Sequence, residues 1–313
     1  MLDPKIRRRL ESLTRLPAIP YVVSEVMQAL DNPDISASTL ANIIEKDQTL
    51  ASRVLTVANS PFYGFARKIS TIDLAIVVLG TNAIREIVIS LLVSKLFVKQ
   101  INNFDVRGFW HYSVFCGACA RVLARKLGYR LVGEAFVAGL IHDIGIIVLT
   151  QYFSAEYAKI TTLQTKFGMS MVEAEKKVMH GNHGELGVWI AERWNLPAQL
   201  CDAIRFHHSS FLEVKKYESK IEQTEKETFI EGIEQPLTLI VAMSEWFAAE
   251  LNFKQWALEQ TGSPLYLAIE TLEAIKSHDI LSPESAIWQL KQEITKEYEK
   301  ATVFHALQEK PLY

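Results

Sequence analysis

Apolar residues recur at helical spacing along most of the chain. From Leu40 to Val57 they fall at Leu40, Ile43, Ile44, Leu50, Val54 and Leu55, the three-and-four rhythm of an amphipathic helix. Convincing strand-like alternation is absent from the sequence, so the pattern predicts an all-α fold. Punctuation supports this. Ser70-Thr-Ile-Asp73 predicts a helix start with a capping serine and an acid in the first turn, and Ser170-Met-Val-Glu173 fits a capping box. Ser282-Pro283-Glu284 predicts another start, with proline at the first helical position. Asn59, followed by Pro61, is suited to a left-handed helix stop, and Leu196-Pro197 to a new helix that begins on its proline.

The pattern divides the chain into regions. Residues 1–105 predict an N-terminal helical bundle, and residues 106–210 a helical core holding most of the histidines. Residues 211–235, rich in Glu and Lys, predict a charged connector or exposed helix. Residues 236–313 return to amphipathic helix, with Trp246, Phe247, Trp256 and Trp288 available to pack.

Bulk composition narrows the function classes. The chain has 313 residues, 49% of them hydrophobic, enough for a large core, and its net charge of −3 gives no global argument for nucleic acid or an anionic membrane. The basic run Lys5, Arg7, Arg8, Arg9 and Arg15 reads as a solvated first helix. The best membrane candidates, Ile84–Val98 and Ala135–Thr150, are interrupted by Arg85, Glu86 and Lys95 and by His142 and Asp143, so no span is expected. Cys116 and Cys119 form a Cys-x-x-Cys pair with no second pair to complete a zinc site, and their small-residue helical context predicts buried free thiols. Three cysteines and no signal-peptide pattern lead us to expect a reducing cytoplasm.

Six of the eight histidines lie between residues 111 and 208, as Trp110-His111, His142-Asp143, His180-Gly-Asn-His183 and His207-His208. Adjacent residues on a helix point about 100° apart, so His142 and Asp143 could both reach a site lying between their directions. Gly145 would let another backbone come close. An aspartate in a run as apolar as Gly139-Leu-Ile-His-Asp-Ile-Gly-Ile-Ile-Val needs a partner, either a metal or a neighbouring side chain.

Ala138-Gly-Leu-Ile-His-Asp-Ile-Gly resembles the signature of the HD superfamily of metal-dependent phosphohydrolases. Within it, the chain to about residue 210 resembles the HDOD domain. The matching pieces are Leu16-Pro-Ala-Ile-Pro20, Ile44 to Asp47, Asn59-Ser-Pro-Phe-Tyr-Gly64, Leu79-Gly80, Trp110-His111, and His183 with Gly187, Trp194, Leu196-Pro197 and His207-His208. The resemblance implies that His111, His142 and Asp143 are metal ligands. It also matches His183, His207 and His208 to further histidines of the related HD-GYP branch, which cleaves cyclic dinucleotides.

The sequence departs from the active pattern. Ile146 stands where hydrolases commonly carry lysine, and Met243 or Ser244 where a closing aspartate is expected, with Glu245 one or two positions late. The Gly-Tyr-Pro element is replaced by Gly187-Val-Trp. The histidines remain suited to a divalent transition metal, iron, nickel, zinc or manganese. The expectation is therefore a non-catalytic regulatory module that binds a protein partner or small ligand. The alternatives are a metal-dependent phosphohydrolase acting on a nucleotide or cyclic dinucleotide, and a purely structural His142–Asp143 pair.

Overall fold

In the computed structural model, residues 2–13, 20–97, 101, 104–208, 236–253 and 283–306 are described. Their regular structure is helical, with no strand among the described residues. The N-terminal part runs through α1 (Pro4–Glu11), α2 (Tyr21–Leu30), α3 (Ala37–Glu45), α4 (Gln48–Ala58), α5 (Ile72–Leu79) and α6 (Thr81–Ser94). Then come α7 (Val106–Leu127), α8 (Val132–Ile141), α9 (Ile144–Tyr152), α10 (Ser154–Phe167), α11 (Met171–Met179), α12 (His183–Arg193) and α13 (Ala198–Phe206). After the connector follow α14 (Pro236–Glu250) and α15 (Pro283–Ala301).

The apolar rhythm of residues 40–57 belongs to two helices, not one. Asp47 breaks it, because its carboxylate accepts from the N–H groups of Thr49 and Leu50 and so caps α4. The capping box at Ser170 and Glu173 forms as expected. The cap of α5 is Thr71, one residue later than expected. Pro197 precedes α13 as its cap instead of opening it. Asn59 ends α4 without a left-handed backbone (φ −87°); its amide donates to the carbonyls of Leu55 and Ile69 and accepts from Ile69 N–H, tying the following loop back to the helix. Arg15, Leu16 to Ile19, the connector 211–235, Trp256 and Ser282 lie outside the described residues.

The 22-residue α7 is the axis of the fold. It buries Phe109, Trp110, Tyr112 and Phe115, and packs against α8, α14 and α15. Trp110 Nε1 donates to the Phe304 carbonyl, and Arg121 of α7 bridges Glu86 of α6 and Glu297 of α15. Trp246 and Phe247 pack inside, whereas Trp288 is exposed. Arg9 is not simply solvated: it pairs with Glu156 and lies over the Phe153 ring. Cys116 and Cys119 are buried free thiols on α7. The α8–α9 segment, Val132–Tyr152, is long and apolar enough to cross a membrane by length and composition, but 83% of its 18-residue apolar stretch is buried within the protein, where it serves as core.

Candidate metal centre

His142 and Asp143 do not share one continuous helix. They occupy the two-residue break between α8 and α9, and both are buried. Three further elements deliver partners to this break. His183 is the first residue of α12, held under an Asn182 cap; His207 and His208 follow the last turn of α13; Glu245 projects from the buried α14. Gly145 makes the approach of α12 feasible. A Cβ there would collide with the His183 carbonyl oxygen and stand 2.7 Å from Gly187 N. The expectation that another backbone comes close at Gly145 is met by α12.

Hydrogen bonds fix the imidazoles. Nδ1 of His142 donates to the Gly139 carbonyl and Nδ1 of His207 to the Ile204 carbonyl, each at 2.8 Å and each three residues back. Carbonyls only accept, so each Nδ1 carries its proton, and each Nε2 is the atom turned to the cluster, with a lone pair to offer a metal once it is deprotonated. Nδ1 of His183 lies 2.8 Å from Glu175, whose carboxylate also accepts the His183 backbone N–H at 3.0 Å. Glu175, fully buried, thus orients His183 as an outer carboxylate orients a ligating histidine.

The free faces of these rings converge. Asp143 Oδ1 lies 3.0 Å from His183 Nε2 and 3.4 Å from His207 Nε2, and His183 Nε2 lies 3.3 Å and 2.9 Å from the Nε2 atoms of His207 and His208. Donor atoms about 2.0–2.1 Å from one ion stand roughly 3.0–3.4 Å apart, as in this group. At 2.9 Å the Nε2 atoms of His183 and His208 are held together by a proton carried on one of them or by a metal ion between them. Asp143 Oδ1 is buried without an aligned hydrogen bond, which fits an oxygen reserved for a cation. The other oxygen, Oδ2, lies 3.2 Å from His142 Nε2, and Glu245 Oε1 lies 3.7 Å from the same nitrogen. Two candidate metal-holding groups therefore share Asp143: one with His183, His207 and His208, the other with His142 and Glu245.

The electrostatics agree with a cluster that needs positive charge. Burial pushes His142 down, but Asp143 and Glu245 beside it lift it to about 9. Burial is likewise outweighed at His183, where Glu175 and Asp143 hold the ring well above its ordinary value. Burial and neighbouring His207 push His208 well below. Asp143 is held well below the usual carboxylate range by His142, His183 and His207, against the opposing effect of burial.

His111 is not part of this group. Its half-buried ring stacks on His305 at 4.0 Å, nearly parallel. The next residue, about 100° around α7, takes the inward direction: the Tyr112 hydroxyl lies 3.2 Å from both His142 Nε2 and Glu245. Glu245, read from the sequence as displaced, reaches the site because α14 presents it toward α7 and α13. Glu175 went unnoticed in the sequence, although it interrupts the apolar face made by Met171, Ala174 and Met179, and an acid on such a face calls for a partner.

A helical bundle that gathers His-Asp and three further histidines into a buried cluster defines an HD-type protein. Residues 16–210 match the HDOD domain, and the chain belongs to the HDOD family. It is similar to the crystal structure of an HDOD domain protein of unknown function from Geobacter sulfurreducens, with a TM-score of 0.71, 23% identity and 95% of each chain covered. A Shewanella amazonensis SB2B protein, whose name carries a provisional phosphohydrolase assignment, superposes with a TM-score of 0.67 at 22% identity over 97% of this chain and 98% of its own. A curated relative, an uncharacterised protein of Treponema pallidum (strain Nichols), is 26% identical over 195 residues. That match covers 62% of this chain and 38% of the relative, so the chain aligns with well under half of the relative's length.

Proposed function

We propose that this chain is a regulatory HDOD module in which the HD centre holds metal as part of the architecture and does not turn over phosphoesters. One observation carries this reading, the closure of the cage. Four protein atoms, from Asp143, His183, His207 and His208, converge on one point, and only His208 has a ring as much as 18% exposed. Four protein ligands fill a tetrahedral shell such as that of zinc, the mark of a structural site, whereas catalytic zinc sites keep a position for water or substrate. Ile146, buried and apolar, supports the same reading, since it supplies no cation for a phosphate. Imidazole and carboxylate donors suit zinc, iron, nickel or manganese. In this reading the chain works in the cytoplasm by binding a partner protein.

The runner-up is a metal-dependent phosphohydrolase. Glu245 favours it, because it supplies beside His142 a carboxylate that the sequence pattern had moved out of place. When bound at such a site, a metal ion supplies an activated water and polarises a phosphoryl oxygen. Here Asp143 and Glu245 would hold charge, and the Tyr112 hydroxyl would donate to whichever oxygen replaces its present partner. Elemental analysis of the purified chain, run beside a panel of phosphomonoesters, nucleotides and cyclic dinucleotides, separates the readings. Bound metal with no turnover supports the regulatory module. Turnover that disappears in Asp143→Ala overturns it.

A further inference from the structure

Away from the His-Asp cluster, a cavity of about 430 Å³ opens between the N-terminal helices and the core. It lies where α5 and α6 meet the start of α8 and of α13, and it shares no residue with the metal centre. This is the size range of small-molecule sites. Much of its wall is apolar, including Val78, Ile89, Leu131 and Leu200, with Asn82, Arg85, Arg130 and Glu134 also lining it, and Glu86, Arg121 and Tyr63 form a buried polar group on one side.

These polar groups are buried and only partly paired. The Glu86 side chain is 4% exposed, and its Oε1 takes Arg121 Nη1 at 3.2 Å. Arg121 is also held by Glu297 and lies over the Phe62 ring at 3.9 Å. The Tyr63 hydroxyl is buried beside Glu86 without an aligned hydrogen bond, so its capacity to donate and accept is not well used. Gly133 keeps the other carboxylate oxygen uncovered, since a Cβ there would come within 2.5 Å of Glu86 Oε2. The charges beside Glu86 are already closed among Glu86, Arg121, Glu297 and Arg125, and of the other charged lining residues Arg85 pairs with Asp31 and Glu134 accepts from the Tyr129 hydroxyl. A charged head group would meet either Arg121 or Glu86 as a like charge. A neutral group that both donates and accepts would satisfy Glu86 Oε2 and Tyr63 together.

We propose that this cavity is a second binding site, for a small neutral molecule with an aromatic or branched aliphatic body and an amide-type head that hydrogen-bonds Glu86 and Tyr63. Burial, opposed by Arg121, raises Glu86 to about 7, so near neutrality its carboxyl can serve the head group as acceptor or as donor. The body would lie against the apolar wall, and Val78, 41% exposed, stands at the rim. This site does not depend on whether the histidine cluster holds metal.

Saturation-transfer NMR on the full chain with benzamide at millimolar concentration tests the proposal, with benzoate, benzylammonium and toluene as comparison probes. Benzamide should receive saturation, and each comparison probe at least several-fold less. Val78→Trp plugs the rim at an exposed position and leaves the core untouched, so it should fold and reduce the benzamide signal about tenfold. Gly133→Ala, placed against Glu86, should weaken it as well. No transfer to benzamide, an unchanged signal in Val78→Trp, or equal binding of benzoate and benzamide would overturn the proposal.

Discussion

Gly145→Ala tests the contact that assembles the centre. The added methyl would run into the His183 carbonyl oxygen and would stand 2.7 Å from both His183 C and Gly187 N. Ordinary contacts between carbon atoms are about 3.5–4.0 Å, so α9 and α12 must part by roughly 1 Å. Every atom struck is backbone, so no rotamer change can absorb the clash. Overpacking of this kind costs about 1–3 kcal/mol, and the rigidity of both partners places this case at the upper end. The same displacement carries His183 away from Asp143 Oδ1, now 3.0 Å from its Nε2, and so weakens metal binding as well as the fold. Urea unfolding followed by far-UV circular dichroism gives the first readout. With a slope of about 3 kcal/mol per molar, a loss of 3 kcal/mol lowers the midpoint by about 1 M. Zinc titration against a chromophoric chelator gives the second. A midpoint within about 0.2 M of the parent, with unchanged zinc affinity, would refute the claim that this helix contact positions His183.

Three further outcomes are expected. Glu175→Gln preserves shape but removes the charge that orients His183 Nδ1, so zinc affinity should fall about 10–100-fold with helicity intact, read by chelator competition. Glu86 has a folded-state value near 7, above its ordinary one, so its protonated form is favoured by folding and its contribution is fully present at low pH. Stability should therefore fall by roughly 3 kcal/mol as pH rises from about 4.5 to about 7, and Glu86→Gln should flatten that slope in urea midpoints measured across the range. Cys116 and Cys119, whose thiols burial pushes well up, should stay inert to a chromogenic disulfide reagent until the chain unfolds, and the absorbance released should then follow the unfolding curve.

Helix content was readable from the 3.6-residue rhythm, but its divisions were not always so. The rhythm from Leu40 to Val57 carries across Asp47, and only the Asp47 carboxylate meeting Thr49 and Leu50 N–H shows that a new helix begins there. The histidine cluster was legible as a set, with His142, Asp143, His183, His207 and His208 brought together. The exchange of His111 for Tyr112 was not, because a spacing rule fixes residues relative to their own helix and leaves the rotation of that helix against its neighbours open. Glu245 went astray for the same reason. Its offset along α14 looked disabling, yet helix packing turned it toward His142. Glu175 sits outside the recurring motif, and only its burial beside His183 reveals its part.

The cluster is made largely from helix ends. His142 closes α8, Asp143 precedes α9, His183 begins α12 and His207 closes α13. Ends are ordinarily where a helix frays, and their amides exchange with solvent long before those of the middle turns. Here four ends are fastened to one another in the protein interior, so none can open alone. Slow hydrogen exchange should reach into the last turns of α8 and α13 and the first turns of α9 and α12, with rates that track global unfolding. The usual gradient from helix centre to helix tip would then be flattened or inverted in this part of the molecule, while helices whose ends lie outside the cluster, such as α10, would keep it.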